Sequence, residues 1–217
     1  MAVRTEGAQG SVGVVRVRCF VDYWNYTLAS KSWNGREAFP TDWAKLGPWL
    51  SQQAARLVLE GPEAGGSVRY EGLHVYASYD PKKPGDAKFK NWVVNVLDHF
   101  PGVEITLRER KPKEPPKCPC CYEPIETCPK CEQSMWGTVE KGIDTAIVTD
   151  MIRLAWEGSY DLAVLVTSDR DFIPGVEFLN LKGRKVVNAC FPPRGRELAA
   201  KCWASIDLTK CLDEIRR

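Results

Sequence analysis

Short apolar blocks alternate along the chain with longer segments in which apolar residues recur every three or four positions. VVRVRCFVD (14–22) is rich in β-branched residues and ends on an acid, which predicts a strand. DWAKLGPWLSQQAARLVLE (42–60) has the spacing of an amphipathic helix, with Pro48 marking a kink or restart. SVRYEGLHVYASYD (67–80) is strand-like, DAKFKNWVVNVLDHF (86–100) is helical and stops at Pro101-Gly102, and VEITLRER (103–110) is the next strand. In KGIDTAIVTDMIRLAWEG (141–158), Ile143, Ile147, Met151 and Leu154 fall on one helical face, and a glycine closes the segment. DLAVLVTS (161–168) is an almost unbroken apolar run, the pattern of a strand covered on both faces. DFIPGVEFLNLKG (171–183) predicts a helix, RKVVNACF (184–191) a strand, and GRELAAKCWASIDLTKCLDEI (195–215) a final helix.

Strands that alternate with helices need crossover connections, and these build a parallel sheet between two helical layers. The expected fold class is therefore α/β, three-layer, with a mainly parallel sheet of about five strands. One domain is expected over 12–217, interrupted by a small insert at 111–135 whose flank RERKPKEPPK has the prolines and charges of a surface excursion. No internal repeat and no low-complexity tract stands out.

At 217 residues and 44% hydrophobic, the chain can bury one good-sized core. No apolar run approaches the ~20 residues that span a bilayer, and the first residues lack a signal-like apolar region. The formal charge of +2 conceals an asymmetry, because residues 181–217 carry nine Lys/Arg against four Asp/Glu. A basic C-terminal part suits a polyanionic partner.

Nine cysteines without an export signal point to a reducing, cytoplasmic setting rather than to disulfides. Four of them fall in CPCCYEPIETCPKC, where Cys118 and Cys121 form one C-x-x-C and Cys128 and Cys131 another. Each pair opens on Cys-Pro, which suits a tight turn aiming two thiolates at one ion, and four thiolates match a closed structural Zn²⁺ site. A redox-active C-x-x-C would not need a second copy. Cys120 lies inside the first pair as a bystander or a competing ligand.

The acids at the strand ends carry the chemistry. In an open parallel sheet, ligands sit outside the carboxyl ends of the strands, where the strand order reverses. Both CFVDYWN and LVTSDRDF place acids at such ends, so neighbouring strands would bring Asp22 and Asp169 together, and Asp144 at the start of a helix could complete the group. Crowded carboxylates repel one another unless a cation joins them, and an all-oxygen set suits Mg²⁺ or Mn²⁺. Such a metal activates water and stabilises charge on a scissile phosphate. Each acid also has a plainer use. Asp171, more than Asp169, is placed to cap the helix that follows, Asp22 to close an Asx turn, and Asp144 to favour a helix dipole. Asp150 and Asp161 point away from the crevice and are expected to be structural.

FVDYWN, KGIDTAIVTDMI and YDLAVLVTSDRDFIPGVEFL resemble, in order and spacing, the signature segments of NYN domains, the ribonuclease-like branch of the PIN-like nucleases. FPPRGRELAAKCWASIDL is similar to the family's last strand-to-helix segment, and the resemblance covers nearly the whole chain outside the first ~10 residues and the cysteine insert. It implies a PIN-like fold and endonucleolytic cleavage of RNA with Mg²⁺ or Mn²⁺. By position it makes Asp22 the first metal-site acid, Asn25 the polar residue after it, Asp144 the acid of KGIDT, and Asp169 and Asp171 the last pair. The chain departs from the pattern at Tyr23-Trp24, which replace a small residue, at Arg170 between the last two acids, and in the cysteine insert.

Substrate contacts are expected from Asn25, Ser168, Lys141, Arg170, Arg194 and Arg196, whose cations would hold a phosphate backbone. Tyr23, Trp24 and Tyr26 follow the first acid and either pack in the core or stack bases of single-stranded or looped RNA. The absence of G-x-S-x-G and G-x-G-x-x-G argues against a hydrolase elbow and a dinucleotide site. The rival to a ribonuclease is a non-catalytic RNA-binding or regulatory adaptor that recruits a protein, or a second copy, through the zinc loop.

Overall fold

The computed structural model of the chain describes residues 13–59 and 67–217. The expected domain start at 12 and the last residue of the helix expected over 42–60 lie outside them. In chain order the elements are β1 (Val14–Asp22), α1 (Tyr23–Trp33), α2 (Trp43–Leu59), β2 (Ser67–Tyr79), α3 (Pro84–Asn95), β3 (Val103–Glu109), β4 (Lys111–Lys113), β5 (Gly137–Val139), α4 (Ile143–Trp156), β6 (Leu162–Val166), α5 (Ile173–Leu181), β7 (Lys185–Cys190), α6 (Arg196–Ala199) and β8 (Ala204–Asp207).

Six strands form one parallel sheet in the order β3-β2-β1-β6-β7-β8. The two-residue period of a strand divides the core. Val17, Cys19 and Val21 of β1 join Leu73, Val75, Leu162, Val164 and Val166 under Tyr26, Trp43, Leu46 and Leu50 of α1 and α2. Phe20, on the other face, joins Tyr76, Ala163 and Leu165 under Ile143, Ile147 and Met151 of α4 and Val176 and Leu179 of α5. The three-layer α/β architecture is thus as expected, with one strand more.

The extra strand comes from the C-terminal segment, where the helix expected over 195–215 does not form. Only Arg196–Ala199 is helical, after which Ala204–Asp207 pairs in parallel with β7. Two 3-10 turns follow, the first capped by the Asp207 carboxylate, which accepts from the Thr209 amide at 3.0 Å. Leu198, Ile206, Leu208, Leu212 and Ile215 are all buried, but against different parts of the sheet, so their helix-like spacing is met by several short elements. Helix α1 was not evident in the apolar pattern because only Tyr26, Ala29 and Ser30 of its eleven residues are buried. Helix α2 runs through Pro48 without ending.

β4 and β5 pair antiparallel as a stalk beneath the cysteine segment. The stalk carries two turns with the same backbone, ten residues apart, although no repeat was expected. The Cys118 amide donates to the Glu123 carbonyl and the Tyr122 amide to the Cys118 carbonyl; the Cys128 amide donates to Gln133 and the Glu132 amide to Cys128, all at 2.9 Å. Tyr122 and Glu132 hold equivalent positive φ angles of 61° and 56°. The repeat lies in backbone geometry, and KCPCCYEP and TCPKCEQS share little beyond Cys-Pro-x-Cys.

Packing between α2 and β2 can be tested at Gly47. A Cβ there would run into the Tyr70 ring and its hydroxyl, which donates to the Gly102 carbonyl at 2.9 Å. Gly47→Ala is expected to lower the unfolding free energy by roughly 1–3 kcal/mol through overpacking. A denaturant melt unchanged from wild type would show that Tyr70 swings aside without cost.

Candidate active site

Sequence order reverses between β1 and β6, adjacent parallel strands whose last registered pair is Val21 with Val166. The next residues, Asp22 and Thr167, therefore stand side by side at the carboxyl edge, and they do so on the α4 face because they continue the rows of Phe20 and Leu165. Asp22 is only 6% exposed. One of its oxygens accepts from the Asn25 amide at 3.1 Å, capping α1, and the other accepts from the Thr167 hydroxyl at 3.3 Å. Asn25 faces the same loop, its Oδ1 accepting from the Ser168 amide at 2.8 Å.

Beyond Ser168 the chain makes a 3-10 turn at Arg170–Phe172, and its cap is Asp169, which accepts from the Asp171 amide at 2.9 Å. The capping role expected for Asp171 thus belongs to Asp169. Asp144 enters from the first turn of α4. The placement of β6 depends on a residue with no obvious sequence signal: fully buried Asn188 of β7 donates to the carbonyls of Leu165 and Thr167 at 3.1 and 2.9 Å.

The electrostatics show how crowded these acids are. Burial first, and then the neighbouring charges of Glu140 and Asp144, push the Asp22 carboxyl up from 3.8 to about 6, against the opposing hydrogen bonds from Asn25 and Thr167. Asp144 is also raised, by burial and then by Asp169, Glu140 and Asp171. Asp144 thus feels the charges of Asp169 and Asp171, and Glu140, which carried no sequence signal, adds its charge at both Asp22 and Asp144. Among the described residues, no three Asp, Glu, His or Cys side chains already form a group that could hold an ion. Carboxylates that resist their own charge and offer only oxygen fit a hydrated Mg²⁺ or Mn²⁺, which binds through one or two carboxylates and keeps several waters.

The basic residues lie at the rim. Ser168, Asp169, Arg170, Arg194, Arg196 and Glu197 line a cleft of about 320 Å³, in which Arg170 and Glu197 pair at 3.6 Å. Ser168 Oγ is buried without a hydrogen-bond partner. Gly195 has a φ of 80°, and a Cβ there would lie 3.1 Å from the Ser168 Cα, so the glycine lets this loop close on Ser168. Lys141 is exposed and precedes the turn into α4 rather than sharing its first helical turn with Asp144.

The aromatics after Asp22 pack. Tyr23 stacks on Trp43 and touches Phe89, Tyr26 is buried against Trp43, and Trp24 donates to the Ser78 carbonyl at 2.7 Å beneath the Arg110 guanidinium. Asp150 accepts from the Tyr76 hydroxyl and pairs with Arg153, and Asp161 pairs with Arg16 and Arg184; both acids are structural.

In the insert, the amides of Cys121 and Cys120 hold the Cys118 thiol below its ordinary range, and those of Lys130 and Cys131 do the same for Cys128. Each turn is thus disposed to carry a thiolate. The expected group of four, Cys118, Cys121, Cys128 and Cys131, is not assembled. Each turn closes on its own backbone bonds.

A protein-family model, the NYN domain, matches residues 16–209. The crystal structure of VPA0982, a protein of unknown function from Vibrio parahaemolyticus, is similar over 93% of this chain and 98% of its own, at 19% identity and a TM-score of 0.53, which bears on the fold alone. No curated protein matches the chain.

The raised Asp22 pKa has a consequence for stability. Because folding raises it, Asp22 favours the fold below about pH 4, and that contribution is lost as pH climbs through about 6. Asp22→Asn should therefore stabilise the metal-free protein at pH 8, by up to on the order of 3 kcal/mol, and give little gain at pH 4. Thermal melts of both proteins at the two pH values check this, and an equal effect at both would contradict it.

Proposed function

Because the chain belongs to the NYN domain family, we propose that it is a metal-dependent ribonuclease, an endonuclease acting on single-stranded or looped RNA. One observation supports this reading above the others: at the edge where the sheet order reverses, burial and the charges of neighbouring acids raise two carboxyls, Asp22 at the end of β1 and Asp144 at the start of α4. A cluster that costs the fold stability is worth keeping when a cation and a phosphate complete it.

In this mechanism Asp22, Asp144, Asp169 and Asp171 are the residues that would hold Mg²⁺ or Mn²⁺. The bound ion would supply an activated water and charge stabilisation at the scissile phosphate. Asp22 is oriented by the Asn25 amide and Thr167, and Asp169 by its own cap to Asp171, so both carboxylates are fixed before substrate arrives. Arg194 and Arg196 would seat the RNA backbone in the adjoining cleft, with Lys141 on the α4 side. Arg170 pairs at the surface with Glu197 at 3.6 Å, within reach of a phosphate in the same cleft. Asn25 and Ser168 order the loop between the acids and the cleft.

The paired cysteine turns support a second, structural ion. Four thiolates from Cys118, Cys121, Cys128 and Cys131 would close around Zn²⁺ and staple the insert, and lasting thiolates suit a reducing cytoplasm. The insert also exposes Tyr122 (73%) and Trp136 (55%), which favours a further role in meeting a protein partner or a second copy.

Protein dialysed free of Mg²⁺ and Mn²⁺ but retaining zinc should leave single-stranded and structured RNAs intact, and cut them when either metal is restored. Asp169→Asn should lose at least about a hundredfold in cleavage rate while still binding RNA in a gel shift. RNA binding without cleavage in either metal would replace the nuclease with an adaptor. Elemental analysis should return one zinc per chain, falling in Cys128→Ser; no zinc in the wild type would remove the structural ion.

A further inference from the structure

The cysteine insert leaves the sheet at its carboxyl edge, on the flank away from the Arg194 and Arg196 cleft. β3 runs parallel to β2 and ends at that edge, and β4 follows after a single residue. The stalk is fixed to the end of β2: Thr138 Oγ1 donates to Asp80 at 2.9 Å, the Ser78 hydroxyl donates to the Glu140 carboxylate, and the Arg110 amide donates to the Tyr79 carbonyl at 2.8 Å. Thr138 and Glu140 are two residues apart, so one face of the return strand is turned to the sheet. Trp136, just before β5, continues that alternation one step farther out, and its ring is 55% exposed. Tyr23 and Trp24 are taken up by packing, whereas Trp136 stays open on this flank.

A cation stands on the same flank. Arg108 of β3 is the register partner of Ser78, which lies two residues beyond Tyr76, the partner of Asp22. Arg108 therefore shares the α4 face with Asp22, two strand spacings or on the order of 10 Å across the sheet. It is exposed, and its guanidinium lies against Gly142, where a Cβ would collide with it, at the turn that leads into α4 and Asp144. Across the edge the order is thus the insert flank with Trp136 and Arg108, then the acids, then the cleft with Arg194 and Arg196.

We propose that the insert flank is a second RNA-binding segment, in which Arg108 holds a phosphate and Trp136 stacks on a base of the single strand that has crossed the acids. A protein partner would be met as well by the tip of the insert at Tyr122. An open ring beside an exposed guanidinium, held by a pinned stalk at the edge of the acids, suits a strand in which bases and phosphates alternate. The proposal rests on the RNA-binding part of the reading above and not on cleavage.

The probe is a fluorescein-labelled single-stranded oligouridylate long enough to cover both flanks. Its binding to the whole chain is followed by anisotropy, in buffer free of Mg²⁺ and Mn²⁺, at several salt concentrations. Trp136→Ala should weaken binding about tenfold and leave the slope of log K against log salt unchanged, because stacking releases no counterions. Trp136→Phe should recover part of the loss. Arg108→Gln should weaken binding and reduce the slope by about 0.7, the share of one phosphate on a single strand. All three should melt at the wild-type temperature. If Trp136→Ala and Arg108→Gln bind like wild type while Arg194→Gln binds more weakly, Trp136 is left to a protein partner or a second copy, and this proposal alone is overturned. A loss in Arg108→Gln with an unchanged slope would overturn the phosphate contact. No binding of the oligouridylate by the wild type would overturn the proposal together with the RNA reading.

Discussion

A buried carboxylate at the end of a central strand is expensive, and Asp22 sets the terms for what surrounds it. It is nearly inaccessible, its neighbours include other acids, and its pKa is displaced toward neutrality. The hydrogen bonds it accepts from the Asn25 amide and Thr167 offset part of that cost and tie two connections to it. The Asn25 side chain then orders Ser168, and Asn188 fixes the end of β6 from the next strand. Asp169 follows in a turn that it caps itself. The hydrogen bonds thus orient Asp22 and Asp169 individually, while neighbouring acids raise the cost of charging Asp22.

The rest of the fold serves this edge. The two faces of the sheet are filled by separate apolar clusters, so the strands that end at the acids are held from both sides. Basic residues are kept at the rim in the 190s loop, where Gly195 permits a close approach to Ser168. On the opposite flank the insert docks its stalk against β2 through Thr138 and Arg110 rather than standing free. The acid group is thus bounded by a phosphate-compatible cleft on one side and by the insert on the other.

Much of this could be seen in the sequence, and the failures have physical causes. The continuous apolar run at 161–168 and the β-branched run at 14–22 identified the adjacent central strands, because burial on both faces leaves a strong signal. Helix α1 left almost none, since its buried face is only three residues wide. The C-terminal segment misled because Leu208, Leu212 and Ile215 keep helical spacing while the segment is divided among a short helix, a strand and two turns. Glu140 and Asn188 had no motif to mark them; their importance depends on strand neighbours distant in sequence. Of the two uses open to Tyr23 and Trp24, packing and base stacking, the structure shows packing between α1, α2 and α3.

The most direct test of the account is to see where a divalent ion binds. Crystals soaked in Mn²⁺ and measured at its absorption edge should give an anomalous peak among Asp22, Asp144 and Asp169, at the carboxyl edge between β1 and β6. A peak only elsewhere, or none at Mn²⁺ concentrations that support RNA cleavage, would contradict the claim that these acids form a metal centre.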